Sequence, residues 1–152
     1  MHASDRSDPR SINKALTSCR TAKDICAVCL DSIDKFNSIN VSTALHRLAK
    51  CTQKPDRETI QIAQRICNRA METLNDFDSR GIANLMWALA TLGLAPGPEL
   101  EAAMCRRATA ISGEFNPQAV ANLMWALAKL GLDISVDFLP VLSPRIVAHL
   151  RF

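Results

Sequence analysis

The chain has 152 residues, 48% hydrophobic and 22% charged, with 18 basic against 15 acidic side chains. That mixture excludes wholesale disorder, and the apolar runs break well short of the ~18 residues a membrane span requires, so no membrane insertion is expected. A net charge of +3 permits a polyanionic partner without demanding one.

The opening MHASDRSDPR is polar, without an apolar signal core or an Arg-rich amphipathic stretch, and residues 1–10 are expected to be disordered. Ser11 to Cys19 and Asp24 to Lys35 follow as two short helices, Asp24 serving as N-cap of the second. They form a shortened helical unit over 11–35. From Phe36 the pattern becomes regular. Asn37 is placed to cap a helix that closes near Cys51, and a second helix runs from about Asp56 to Leu74, completing a unit over 36–76. Asp78 caps the next opening helix and Gly93 stops it, with a partner helix from Pro98 to Ile111, giving 77–114. In the unit over 115–152, Asn116 is the cap, Pro117 suits the first helical position and Gly131 ends the helix. A last helix spans Val136 to Leu150, where Pro140 and Pro144 require a kink or a late start. No segment alternates with strand period.

The string ANLMWALA occurs at Ala83 to Ala90 and again at Ala121 to Ala128, 38 residues apart. The identity spreads outward, DFDSRGIANLMWALATLGL aligning with EFNPQAVANLMWALAKLGL without a gap. A weaker copy, KFNSINVSTALHRLAKC, places Phe36, Val41, Leu45, Leu48 and Cys51 on Phe77, Ile82, Met86, Leu89 and Leu92, at an offset of 41 residues. Repeats of this length bury their apolar faces against their neighbours. The expected fold is therefore all-α: a right-handed α-solenoid of tandem ~38-residue helix-turn-helix repeats. Phe152 stands 37 residues after Phe115, so the chain is expected to be a piece of a longer array.

Winding the opening helix at about 100° per residue puts Ile82, Leu85, Met86, Leu89 and Leu92 on one apolar arc. The opposite arc carries Arg80, Asn84, Trp87 and Thr91. Its counterpart in the next unit carries Gln118, Asn122, Trp125 and Lys129, and in the preceding unit Ile39, Thr43, His46 and Lys50. A flat ring, an amide or hydroxyl, and a long polar end recur away from the unit's own core. One reading makes this a single-stranded RNA surface. There His46, Trp87 and Trp125 stack on bases, Thr43, Asn84 and Asn122 read base edges, and Lys50, Arg80 and Lys129 meet phosphates. The other makes the tryptophans wedges between adjacent units and the amides an internal ladder.

The period, the FNPQ opening and the WALAKLG core resemble the octotricopeptide and heptatricopeptide-type repeats of organellar RNA-binding proteins, which often stand beside a RAP domain. The likeness covers Phe36 to Phe152 well and Ser11 to Lys35 loosely. The unit from Phe36 departs from it, with His46 in place of tryptophan and no closing glycine. No RAP domain is present in these residues. The resemblance implies a non-catalytic protein binding single-stranded or structured RNA in a mitochondrion or plastid, cytoplasm being the alternative. A protein-binding scaffold, such as a peripheral subunit of an organellar ribosome or other large ribonucleoprotein, is the rival. INVSTALHRLAK also resembles helical repeats of secreted plant-pathogen effectors, a third and weaker reading.

Six cysteines are present. Cys26 and Cys29 form a CxxC pair inside a helix without a second ligand pair, and Cys51 takes a core position. All six are expected to be small packed hydrophobes without metal, disulfide or other cofactor. His2, His46 and His149 lack catalytic partners, there is no phosphate-binding glycine loop, and no catalytic residue is assigned. Arg65 with Arg69, and Arg106 with Arg107, read as ordinary solvated helix faces.

Overall fold

The structure, a computed structural model, describes residues 8–132 and Phe138. Among these the chain is helical without strands, in the order α1 (Pro9–Ser18), α2 (Ala22–Ser32), α3 (Ser38–Lys50), α4 (Arg57–Thr73), α5 (Ser79–Leu92), α6 (Pro98–Ala110) and α7 (Pro117–Leu130). The expected helix Val136 to Leu150 lies, apart from Phe138, outside the described residues.

The caps explain most of these boundaries. Asn37, Asp56, Asp78 and Asn116 each accept a hydrogen bond from the backbone N–H three residues on. Each satisfies a donor that the first helical turn leaves free. Asn37 and Asn40 do so reciprocally, as a capping box. Gly93 and Gly131 end α5 and α7 at φ of 72° and 68°. The following residues, Leu94 and Leu132, donate back to the carbonyls of Leu89 and Leu127 at 2.9 Å, which closes both helices in the six-to-one C-terminal motif.

Two expectations fail at the N-terminal end. Asp24 is not a cap: the Thr21 hydroxyl accepts from the Asp24 N–H at 3.1 Å, and Asp24 stands in the first turn of α2. A carboxylate there is favoured by the helix dipole. Residues 8–10 are not disordered either. Asp8 is the extended residue before α1, and Pro9 occupies its first turn with φ already set by the ring. Residues 1–7 lie outside the described part.

The connection into each regular opening helix has a form the sequence did not announce. A single 3-10 turn (Ile33–Lys35, Leu74–Asp76 and Ser112–Glu114) precedes Phe36, Phe77 and Phe115. All three rings are buried, at 2% exposure or less. They sit where the second helix of one pair hands over to the first helix of the next.

Packing follows two rows. α1, α3, α5 and α7 pack in succession, and α2, α4 and α6 do likewise, with α3 against α4 and α5 against α6 between the rows. One core runs between them. It takes Val41, Leu45 and Leu48 from α3, Ile82, Leu85, Met86 and Leu89 from α5, and Val120, Leu123 and Leu127 from α7. The α5 residues belong to the apolar arc read from the sequence, and those of α3 and α7 are their buried counterparts. Burial of each such side chain contributes about 1.5–3 kcal/mol.

Repeated hydrogen bonds close each pair and join it to the next, the arginines within a pair and the serines between pairs. Arg69 Nε donates to the Phe36 carbonyl, and Arg107 Nε to the Phe77 carbonyl, both at 2.9 Å. Ser38 Oγ donates to the Asp76 carbonyl at 3.3 Å, and Ser79 Oγ to that of Glu114 at 3.1 Å. The expectation that Arg69 and Arg107 are merely solvated is therefore overturned. Each crosses from the second helix to the backbone just before the first helix of its own pair, where the chain changes direction and leaves a carbonyl without a helical donor. Arg65 and Arg106 are exposed, as expected.

Candidate nucleic-acid interface

All nine candidate residues lie on the first helices of the pairs, off the buried arc. Lys50, Arg80 and Lys129 are exposed, and Thr43, His46, Asn84, Trp87 and Asn122 are half-buried. Trp125 is 45% exposed, unusually open for so large a ring. Arg80 is in the first turn of α5, while Lys50 and Lys129 end α3 and α7.

The three rings come together. His46 and Trp87 have centroids 5.1 Å apart at an interplanar angle of 53°, and Trp87 and Trp125 are 6.4 Å apart at 32°. Both distances fall in the range where tilted aromatic pairs attract. Equivalent positions of α3, α5 and α7 therefore face one another. The serine clips place the N-terminal ends of successive helices together too, so these helices run side by side in one direction. Trp87 is flanked by a ring on both sides and packs against the core, and the more open Trp125 ends the described ladder.

Beside the ladder, α1, α3 and α5 enclose an open groove of about 530 Å³. Thr43, His46, Arg80 and Asn84 line it, while Lys50, Asn122 and Lys129 stand outside it. The structure also brings in residues that the repeat pattern did not flag: Asn13 and Thr17 from α1, Ser42 and Arg47 from α3, and Asp76 and Asp78 ahead of α5. A signal for Arg47 exists in its place next to His46 on the same helical turn. Asn13 and Thr17 lie where the repeat has no aligned copy, so nothing in the sequence pointed to them.

Charge around the groove is uneven. Burial holds the His46 imidazole below its ordinary value of 6.5, and the cations of Lys50, Arg47 and Arg80 push in the same direction. Three positive groups thus act on one ring. Arg47 donates to the Cys19 carbonyl at 2.6 Å, and its Nε is buried without a protein partner. The one ion pair among the described residues is Arg69 with Glu72. Neither Arg47 nor Arg80 is neutralised by a described carboxylate at contact distance.

Cysteine contributes nothing to this surface. Cys19, Cys26, Cys29 and Cys105 are buried. Cys51 and Cys67 are only half-buried, so Cys51, the C-cap residue of α3, packs against the edge of the core and is not fully inside it. Burial pushes the Cys29 thiol up to about 12 and that of Cys67 to about 11, far from the thiolate a nucleophile or metal ligand needs. Among the described residues no group of three or more His, Cys, Asp or Glu could hold a metal ion, and no helix is long and apolar enough to cross a membrane.

What the arrangement offers is a row of amides, hydroxyls and cations along an aromatic seam, suited to holding a polar, anionic chain. The sequence profile of the RNA-editing substrate-binding complex 6 protein family matches residues 20–152. The match is to this family, not specifically to the octotricopeptide or RAP-associated repeats that the motifs resemble. It takes in α2 to α7 and so carries the whole ladder, and on that extent the chain belongs to the RNA-editing substrate-binding complex 6 protein family.

Proposed function

We propose that this chain is a non-catalytic RNA-binding component of an RNA-editing substrate-binding complex in a mitochondrion. In this reading the two helix rows form an α-solenoid whose units span 36–76, 77–114 and 115–152, with a short unit at 11–35. The observation that carries it is the recurrence of one polar and aromatic pattern on three successive first helices, gathered into a continuous seam. The family's own description supports the reading, since it names RNA editing and substrate binding. Asn84, Asn122 and Thr43 are the proposed readers of base edges. Lys50, Arg80 and Lys129 are the phosphate contacts. His46, Trp87 and Trp125 shape the seam, Trp125 offering the most open ring face for stacking. The plastid, ribosomal and RAP associations of the resembling repeats gain no support from the family match.

Ile39, 61% exposed on the wall of the groove, favours one other reading, a scaffold gripping a protein partner. The two separate on the freshly captured protein. RNA binding predicts co-purifying nucleic acid, seen as a raised 260/280 nm absorbance ratio that nuclease abolishes. A ratio typical of protein alone, together with no retention of a single-stranded RNA pool, would favour the scaffold.

A further inference from the structure

The rings of the seam leave no gap for a base. Sandwiching a base between two rings requires about 7 Å, two successive carbon–carbon contact distances. The observed spacings are 5.1 and 6.4 Å, and both pairs are tilted. No base can insert between these rings, and the adjoining groove of about 530 Å³ is within the range of small-ligand sites.

Resting on the RNA-binding reading, we propose that the groove between α1, α3 and α5 takes one unpaired nucleotide whose base carries an exocyclic amino group. Arg80 and Arg47 take its phosphate, and Asp76 with Asn84 takes its base edge. Arg80 is exposed in the groove wall and makes no ion pair with a described carboxylate, so its guanidinium is open to an anion. Arg47, from α3, lines the groove as well, and its buried Nε lacks a protein partner. Asp76 supplies the selectivity. The Asp78 carboxylate is already engaged by the Gly81 N–H at 2.7 Å, whereas Asp76 joins the described hydrogen bonds through its backbone carbonyl, which Ser38 uses. An ionised carboxylate only accepts hydrogen bonds. Adenine, cytosine and guanine each offer it an amino group. Uracil offers one N–H between two carbonyl oxygens, whose lone pairs repel a carboxylate. Asn84 supplies a donor and an acceptor for whatever the edge presents beside the amino group.

The test titrates the full chain with fluorescein-labelled single-stranded RNA 12-mers of alternating adenosine and cytidine, or of uridine alone, read by anisotropy. The expected result is that wild type binds the adenosine–cytidine strand about tenfold tighter than the uridine strand, the scale of one good base contact. Asp76→Asn keeps the carbonyl that Ser38 uses, and it should bring the two affinities to near equality. Arg80→Ala should weaken both strands alike and preserve their ratio. Equal binding of both strands by wild type, survival of the ratio in Asp76→Asn, or unchanged affinity in Arg80→Ala would overturn the groove assignment while leaving RNA binding itself standing. Failure of wild type to bind either strand would overturn the RNA-binding reading as well.

Discussion

His46 shows how one side chain reports its surroundings. Burial first, then Lys50, Arg47 and Arg80, hold its pKa below 6.5 in the fold. The unfolded chain therefore binds more protons than the native state once pH drops below about 6.5, and stability falls with pH in that window. Above it the effect vanishes. Thermal unfolding followed from pH 7.5 to 5.5 should give a steeper acid loss for wild type than for His46→Gln, which cannot titrate. Identical slopes would contradict the burial and charge assigned to this ring. Arg107 makes a second case. Its bond to the Phe77 carbonyl is charge-assisted, so Arg107→Ala should cost about 1–3 kcal/mol in urea unfolding, while Arg106→Ala, on the exposed face, should cost under about 0.5 kcal/mol. At this scale the sequence was only partly legible. Helical winding alone put the nine candidate residues on a shared outer arc. It could not tell the clipping arginines from solvated ones, because the carbonyl each reaches lies 33 or 30 residues earlier in the chain. Distant backbone geometry decided that, and no local pattern encodes it.

The helices themselves were read with most of their boundaries, because their signals are chemical: Asn or Asp before the first turn, proline within it, glycine after the last. The exception is instructive. Thr21 and Asp24 are both capping residue types three positions apart, and the hydroxyl takes the cap while the acid serves the dipole. The 3-10 turns before the buried phenylalanines carry no such signal and went unseen. Gly131 holds φ at 68°, a region that costs a residue with a Cβ about 1–2 kcal/mol. Gly131→Ala should lower the unfolding free energy by that amount, with nothing within 4 Å to add a clash. An equal or higher stability would mean that α7 does not end in the left-handed cap. In α2 the CxxC pair is packing material: Cys26 and Cys29 are 2% and 0% exposed, with both thiol pKa values raised chiefly by burial. Native protein at neutral pH should leave both unmodified by an aromatic disulfide reagent over minutes, and unfolding in guanidinium should release them. Rapid labelling of either in the native state would show α2 to be looser than its packing implies.

For the molecule as a whole, the internal identity at 38 residues was the legible feature. A sequence that repeats must repeat its contacts, and the ring ladder, the serine clips and the arginine clips all recur from one pair to the next. Phe36, Phe77 and Phe115, at which the proposed units begin, are all buried. The groove was not legible. It needs α1, whose residues have no aligned copy, to meet α3 and α5, and long-range packing decides that. The central claim is that this outer seam binds RNA through bases and phosphates separately. It is tested most directly by titrating a random single-stranded RNA pool, across a series of salt concentrations, against wild type and two double variants. Asn84→Ala with Asn122→Ala should keep helicity and salt dependence while relaxing the sequences selected from the pool. Lys50→Ala with Lys129→Ala should weaken binding to all sequences alike and shallow the salt slope by about 1.4, two single-strand phosphate contacts at roughly 0.7 each. Binding by both variants indistinguishable from wild type, in selectivity and in salt slope, would contradict the account.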